Sequence, residues 1–168
     1  MRRSLALLLL LALAVTTPAL AQRRGGAAGK SATVTTGDAG GEVRTTFAAY
    51  ARALNAADWP RVISFYADDP RFEWIEDGEV RYPSKDAIAP SFEAMAETGS
   101  TIVFKTEPPH VAVLAPGVAA LRVSFETTIV DKEGKPFTFG GLLTIDLIKT
   151  TDGWKFLRGH TSSVPSGR

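Results

Sequence analysis

Four polar side chains near the C-terminus have the types and spacing for proton transfer. Asp146 sits in the run FTFGGLLTIDLIKT, and Arg158, His160 and Ser162 follow in KFLRGHTSS. Imidazole titrates near neutral pH, so His160 suits general acid–base work. A carboxylate beside it would orient the ring and raise its pKa. Tyr50, far upstream, adds a phenol that can stabilise an enolate-like oxygen. Each residue also has a plainer reading. A lone His among aromatic and hydroxyl residues often only makes a structural hydrogen bond, and Tyr50 at helical spacing can be simple core. Asp146 can face solvent or pair with Arg158; if buried, it needs a partner or a perturbed pKa.

Other chemistries find little footing. The chain has no Cys, and its two His, His110 and His160, lie far apart, so no metal site is expected. No Gly-x-Ser-x-Gly elbow and no phosphate loop is present, and no cofactor is expected. Ser162 is a poor nucleophile partner for His160 two residues away. Asp68 and Asp69 read as turn and capping residues rather than as ligands.

The elements that must position these groups follow in order. Val43, Phe47, Tyr50 and Leu54 recur at helical spacing in an Ala-rich stretch. Asp58-Trp59-Pro60 interrupts it, with Pro60 suited to the first turn of a second helix running through Val62, Ile63, Phe65 and Tyr66. Arg71 to Ile75 reads as a strand, Glu76-Asp77-Gly78 as a turn, and Val80 to Tyr82 as a short return strand. Ser84 can cap a third helix, which contains Pro90 and so invites a kink or a late start. From Gly99 onward the pattern is β: Thr101 to Glu107, then Val111 to Leu114 after Pro108-Pro109, then a long strand from Val118 to Val130. The last two strands flank Thr151–Asp152–Gly153, where Asp-Gly between β-rich runs signals a hairpin. Helices first and mostly antiparallel strands afterwards imply an α+β domain, its helices packed on one face of a bent sheet around a cavity.

The N-terminus reads as a secretory leader over residues 1–21: basic Met1-Arg2-Arg3, an apolar run from Leu5 to Val15, and Ala19-Leu20-Ala21 for cleavage. The apolar run is too short for a spanning helix, which needs roughly 20 residues. Export, to periplasm or exterior, is therefore expected, with no membrane span after cleavage. Residues 22–41 are Gly-rich and without aromatics, as in a flexible linker; the domain is expected over 42–163, with a tail at 164–168. Losing Arg2 and Arg3 takes the formal charge from +1 to −1, which offers no basic footprint for nucleic acid.

Several stretches carry a resemblance. YARALNAAD (Tyr50–Asp58), FYADD (Phe65–Asp69), Asp86-Ala87-Ile88, VSFE (Val123–Glu126), and Asp152-Gly153-Trp154-Lys155 with His160-Thr161-Ser162 together resemble the nuclear transport factor 2-like superfamily, in its SnoaL-like and ketosteroid isomerase-like branch. The resemblance implies a cone-shaped, curved antiparallel sheet wrapped around the N-terminal helices. It matches Tyr50 and Asp146 to the isomerases' oxyanion-binding pair, in which the acid is kept protonated by apolar surroundings. It places Asp146, His160 and Ser162 inward. Where those isomerases carry a general-base Asp on the first strand, this chain has Trp74, which cannot accept a proton.

Together with the leader, the resemblance implies an exported domain whose pocket, formed by Tyr50, Trp74, Asp146, Arg158, His160 and Ser162, takes a small apolar or aromatic molecule. The alternatives are a lyase, isomerase or cyclase working through Asp146–His160 with Tyr50, and an assembly domain. With Asp146 inward, Leu143, Ile145 and Leu147 fall on the outer sheet face beside Leu121 and Val123, an apolar patch that implies a homodimer.

Overall fold

The computed structural model describes residues 38–165. The leader expected at 1–21, the first part of the expected linker and the last three residues lie outside the described residues. The element order is α1 (Ala39–Asn55), α2 (Trp59–Ile63), β1 (Glu73–Glu76), β2 (Glu79–Tyr82), α3 (Lys85–Thr98), β3 (Thr101–Thr106), β4 (His110–Ala115), β5 (Val118–Val130), β6 (Pro136–Thr150) and β7 (Gly153–Pro165). The helix α1 starts at Ala39, inside the stretch expected to be linker, because Asp38 caps it by accepting a hydrogen bond from Gly41 N at 2.9 Å. Asp58 and Ser84 cap α2 and α3 in the same way. Pro90 lies within α3, whose start is set by Ser84 and is not delayed. Phe65 and Tyr66 leave the helix: Tyr66 makes a parallel bridge to Phe156 instead.

The strands form one curved, unclosed sheet in the order β2-β1-β7-β6-β5-β3. Among the described strands β1 and β7 pair in parallel, and the other strand pairs are antiparallel. Pro108-Pro109 divides β3 from β4, and the two share the same edge of β5, one along each half. Asp77 and Gly78 both take positive φ (50° and 92°), the two-residue turn that best matches the twist of a β1–β2 hairpin. The Asp77 carboxylate also accepts from Ser163 N at 2.7 Å, which ties this turn to β7.

Alternation along β5 and β6 sorts residues cleanly. Leu121, Val123, Leu143, Ile145 and Leu147 are buried against the helices, while Arg122, Ser124, Glu126, Thr144 and Asp146 are exposed on the other side. The first five are therefore interior, and the outer apolar patch expected from them does not exist. Each such side chain, once buried, contributes about 1.5–3 kcal/mol, so the opposite orientation would forfeit most of the core. They meet Val43, Phe47, Tyr50 and Leu54 of α1 and Val62 of α2 in one cluster.

Two polar clamps hold α1 on the sheet. At its N-terminal end Glu42 accepts from Trp154 Nε1 at 2.8 Å and pairs with Lys149. The Lys149 ammonium and the Trp154 indole hold its carboxyl below the usual carboxylate range. At its C-terminal end Asn55 Nδ2 donates to Phe104 O at 2.9 Å while Phe104 N donates to Asn55 Oδ1 at 2.7 Å, so one side chain pairs with β3 as a neighbouring strand would. Asn55→Ala leaves both backbone groups without that partner and is expected to cost about 1–3 kcal/mol. Urea unfolding followed by circular dichroism checks this; an unchanged midpoint would show that the clamp contributes nothing.

Candidate functional site

The inner face of the sheet, α1 and α3 leave a cavity of about 260 Å³. An engineered 150 Å³ apolar cavity holds benzene, so this volume suits one substituted ring or two fused ones. From α1 and the segment after α2 come Tyr50, Leu54 and Tyr66; from α3 come Ile88, Phe92 and Met95. The sheet adds Trp74 and Tyr82 at one end and Phe104, Phe125, Ile129 and Phe139 at the other. The wall is aromatic and the rings brace one another. Tyr66 meets Trp74 edge-on, ring centres 5.4 Å apart, and stacks on Phe92 at 6.0 Å. Trp74 can lie this close to the sheet only because its register partner on β7 is Gly159: a Cβ there would sit 2.2 Å from the indole.

The polar groups of the cavity are few. Tyr50 and Tyr66 hydroxyls hydrogen-bond at 2.9 Å. One donates to the other, so this pair keeps one phenolic proton that is not used between them. Burial pushes the Tyr50 phenol up to about 12, against the lowering effect of the Tyr66 hydrogen bond. Burial likewise holds Tyr66 well above the ordinary range, with Tyr50 and Glu76 adding to it. Both are therefore neutral donors at any physiological pH. Glu76 is the one carboxylate among the lining residues. It follows Trp74 by two positions on β1 and so shares its face. Burial raises its carboxyl pKa, with the exposed Arg81 guanidinium opposing and Asp77 reinforcing that effect.

Tyr50 and Trp74, expected in the pocket, line this cavity. Asp146, Arg158, His160 and Ser162 do not; all four are exposed on the outer face. For the three residues on β7 the reason is a β-bulge. Asp146 pairs with Arg158 but Leu147 pairs with Phe156, so Leu157 is an extra residue in β7. Trp154 and Phe156 point inward before it; after it the inward set is Leu157, Gly159 and Thr161, the last a cavity-lining residue. A uniform two-residue alternation from Trp154 to Ser162 therefore assigns His160 to the wrong face. On β6 it is Ile145, not Asp146, that faces inward. Outside, Arg158 lies between Asp146 and Glu73 in register and pairs with Glu73 at 3.3 Å. His160 lies opposite Thr144, diagonal to Asp146, with no hydrogen bond or ion pair between them among the described residues. The proton-transfer pair expected from Asp146 and His160 is not built at the cavity.

Sequence reasoning missed Glu76, Tyr66 and Tyr82. For Glu76 the signal was present: in Glu-Trp-Ile-Glu, an inward Trp74 makes Glu76 inward and Glu73 outward. Asp69 does serve the turn: both its carboxylate oxygens accept from Arg71, at 2.8–2.9 Å, which holds the Asp69 carboxyl down at about 2.

A mostly antiparallel sheet curved around an N-terminal helix, with an aromatic cavity between them, defines a nuclear transport factor 2-like domain. The family model described as a SnoaL-like domain matches residues 35–160, and the chain belongs to that family. Among solved structures it is similar to a ketosteroid isomerase-like protein from Erwinia carotovora atroseptica (25% identity, TM-score 0.60, covering 74% of this chain and 95% of that one). It is also similar in fold to a nuclear transport factor 2-like superfamily protein from Salmonella enterica serovar Typhimurium (20%, TM-score 0.65, 77% and 94%). A third is a protein with a cystatin-like fold from Novosphingobium aromaticivorans (17%, TM-score 0.58, 76% and 82%). No curated protein matches the chain.

Because the raised carboxyl of Glu76 keeps its proton more readily in the folded than in the unfolded chain, stability falls as pH rises from the unfolded value, about 4.3, through the folded one. Glu76→Gln removes that loss. Its melting temperature is expected to exceed the parent's near neutral pH and to match it below pH ~4. An equal difference at both pH values would show that Glu76 is fully solvated.

Proposed function

We propose that the chain is an exported binding domain whose cavity takes a small apolar or aromatic molecule. The observation that carries this reading is the open, largely aromatic cavity bounded by Tyr50, Tyr66, Trp74, Phe92 and Phe104, with a free phenolic proton and a carboxylate at its wall. Apolar walls supply affinity and the few polar groups fix orientation. Trp74 contacts the cavity, so single-ring and two-ring aromatic compounds should quench or shift its fluorescence saturably. Trp74→Phe should remove the response, with binding retained in calorimetry. No saturable binding across such a panel would sink the reading. Export is supported by the leader-like residues 1–21 alone; mass spectrometry of secreted protein is expected to find Gln22 at the N-terminus.

A second reading is proton transfer on the bound molecule. It is favoured by Glu76, a carboxyl whose raised pKa suits a base, across a cavity that also holds the Tyr50–Tyr66 donor. The roles first expected of Asp146 and His160 pass to Glu76 and the phenol pair. Where turnover of a ligand is found, Glu76→Gln should lower kcat by about 10²-fold or more, whereas His160→Ala should leave it unchanged.

A further inference from the structure

Glu76 sits in an unusual electrostatic setting for a carboxylate. Among the described residues it makes no hydrogen bond and no ion pair, and the cavity it lines contains no Lys, Arg or His. Arg81, whose charge acts on the carboxyl, is exposed on β2 and does not line the cavity. The large side chains that share the cavity with it at this end are aromatic. Trp74 precedes it by two residues on the same strand face, roughly 6–7 Å along the chain. Tyr82 lies directly opposite Trp74 in the β1–β2 register. Tyr66 abuts Trp74 edge-on, and Phe92 stacks on Tyr66. A cavity that carries one carboxylate, several aromatic rings and no basic side chain among its lining residues has the composition of a cation site: the carboxylate neutralises the cation and the π-faces replace its water. A neutral ligand would add to the desolvation of the half-buried carboxylate without pairing it, and an anion would be repelled.

Resting on the binding reading above, we propose that the cavity selects a cationic amine or quaternary ammonium compound carrying an aromatic or apolar body. The cationic nitrogen lies against Glu76 between Trp74 and Tyr82, and the body extends toward Phe104 and Phe125. The volume of about 260 Å³ holds one ring and a short ammonium arm.

The test uses a matched pair of probes, phenethyltrimethylammonium and its uncharged carbon isostere 3,3-dimethylbutylbenzene, titrated into the described domain within the full chain. Calorimetry and Trp fluorescence report the binding. The cation is expected to bind at least about tenfold more tightly than the isostere, and E76Q is expected to erase that advantage while still binding the isostere as the parent does, which also shows that the variant is folded. Equal affinities, or tighter binding of the isostere, overturn the cation assignment and leave the binding reading standing. A cation preference that survives in E76Q overturns the role of Glu76. If neither probe binds, the binding reading fails and this inference fails with it.

Discussion

The domain depends on wrapping three long strands around one helix. The strands β5, β6 and β7 are each 13 to 15 residues long, and a sheet of that extent must bend if its apolar face is to stay on α1. The bend is achieved locally. The extra residue at Leu157 increases the twist of β7. At Gly141 the backbone of Ser162 comes so close that a Cβ would lie 2.0 Å from its carbonyl oxygen. The bent sheet leaves more room than α1 can fill, and the remainder is the cavity. Pocket and core are thus products of one packing problem, solved with the same side chains.

This origin explains the cavity's character. Its lining is the continuation of the core cluster, so it is largely apolar and each polar group in it stands out energetically. The phenols of Tyr50 and Tyr66 satisfy each other. The carboxylate of Glu76, set at the β1 end of the cavity, has no such partner and retains its desolvation cost in the unliganded fold. The outer face of the same strands is a different medium. There Asp146, Arg158 and Glu73 form a row of alternating charge, and His160 lies beside Thr144. Exposed pairs of this kind contribute little to stability, typically 0–1 kcal/mol.

Much of this was legible in the sequence. Helix starts at Asp58 and Ser84, the turns at Asp77-Gly78 and Asp152-Gly153, the break at Pro108-Pro109 and the span of Val118–Val130 follow from local chemistry, which the fold leaves intact. The family was legible too, because its motifs are mostly caps, turns and core positions. The faces were harder. Alternation tells which residues share a side but not which side is inward, and on β7 a single inserted residue reverses the answer between Phe156 and His160. Nothing in KFLRGHTSS marks the bulge. Leu143, Ile145 and Leu147 did carry the deciding information: three large aliphatic side chains at alternate positions outweigh one suggestive acid. The local pattern continues the second helix through Tyr66, because its bridge to Phe156 is a contact between distant parts of the chain.

The contact between Trp74 and Gly159 has a consequence for how the cavity can change. One ring occupies the space that a side chain on the neighbouring strand would otherwise take, so the wall is effectively indole laid on bare backbone. The two positions form a size-exchange pair. A smaller residue at 74 would open a hollow that only a larger residue at 159 could refill, and neither change is comfortable alone. The width of this end of the cavity is therefore governed jointly by two sites 85 positions apart in the chain, and variants that reshape it have to move both together.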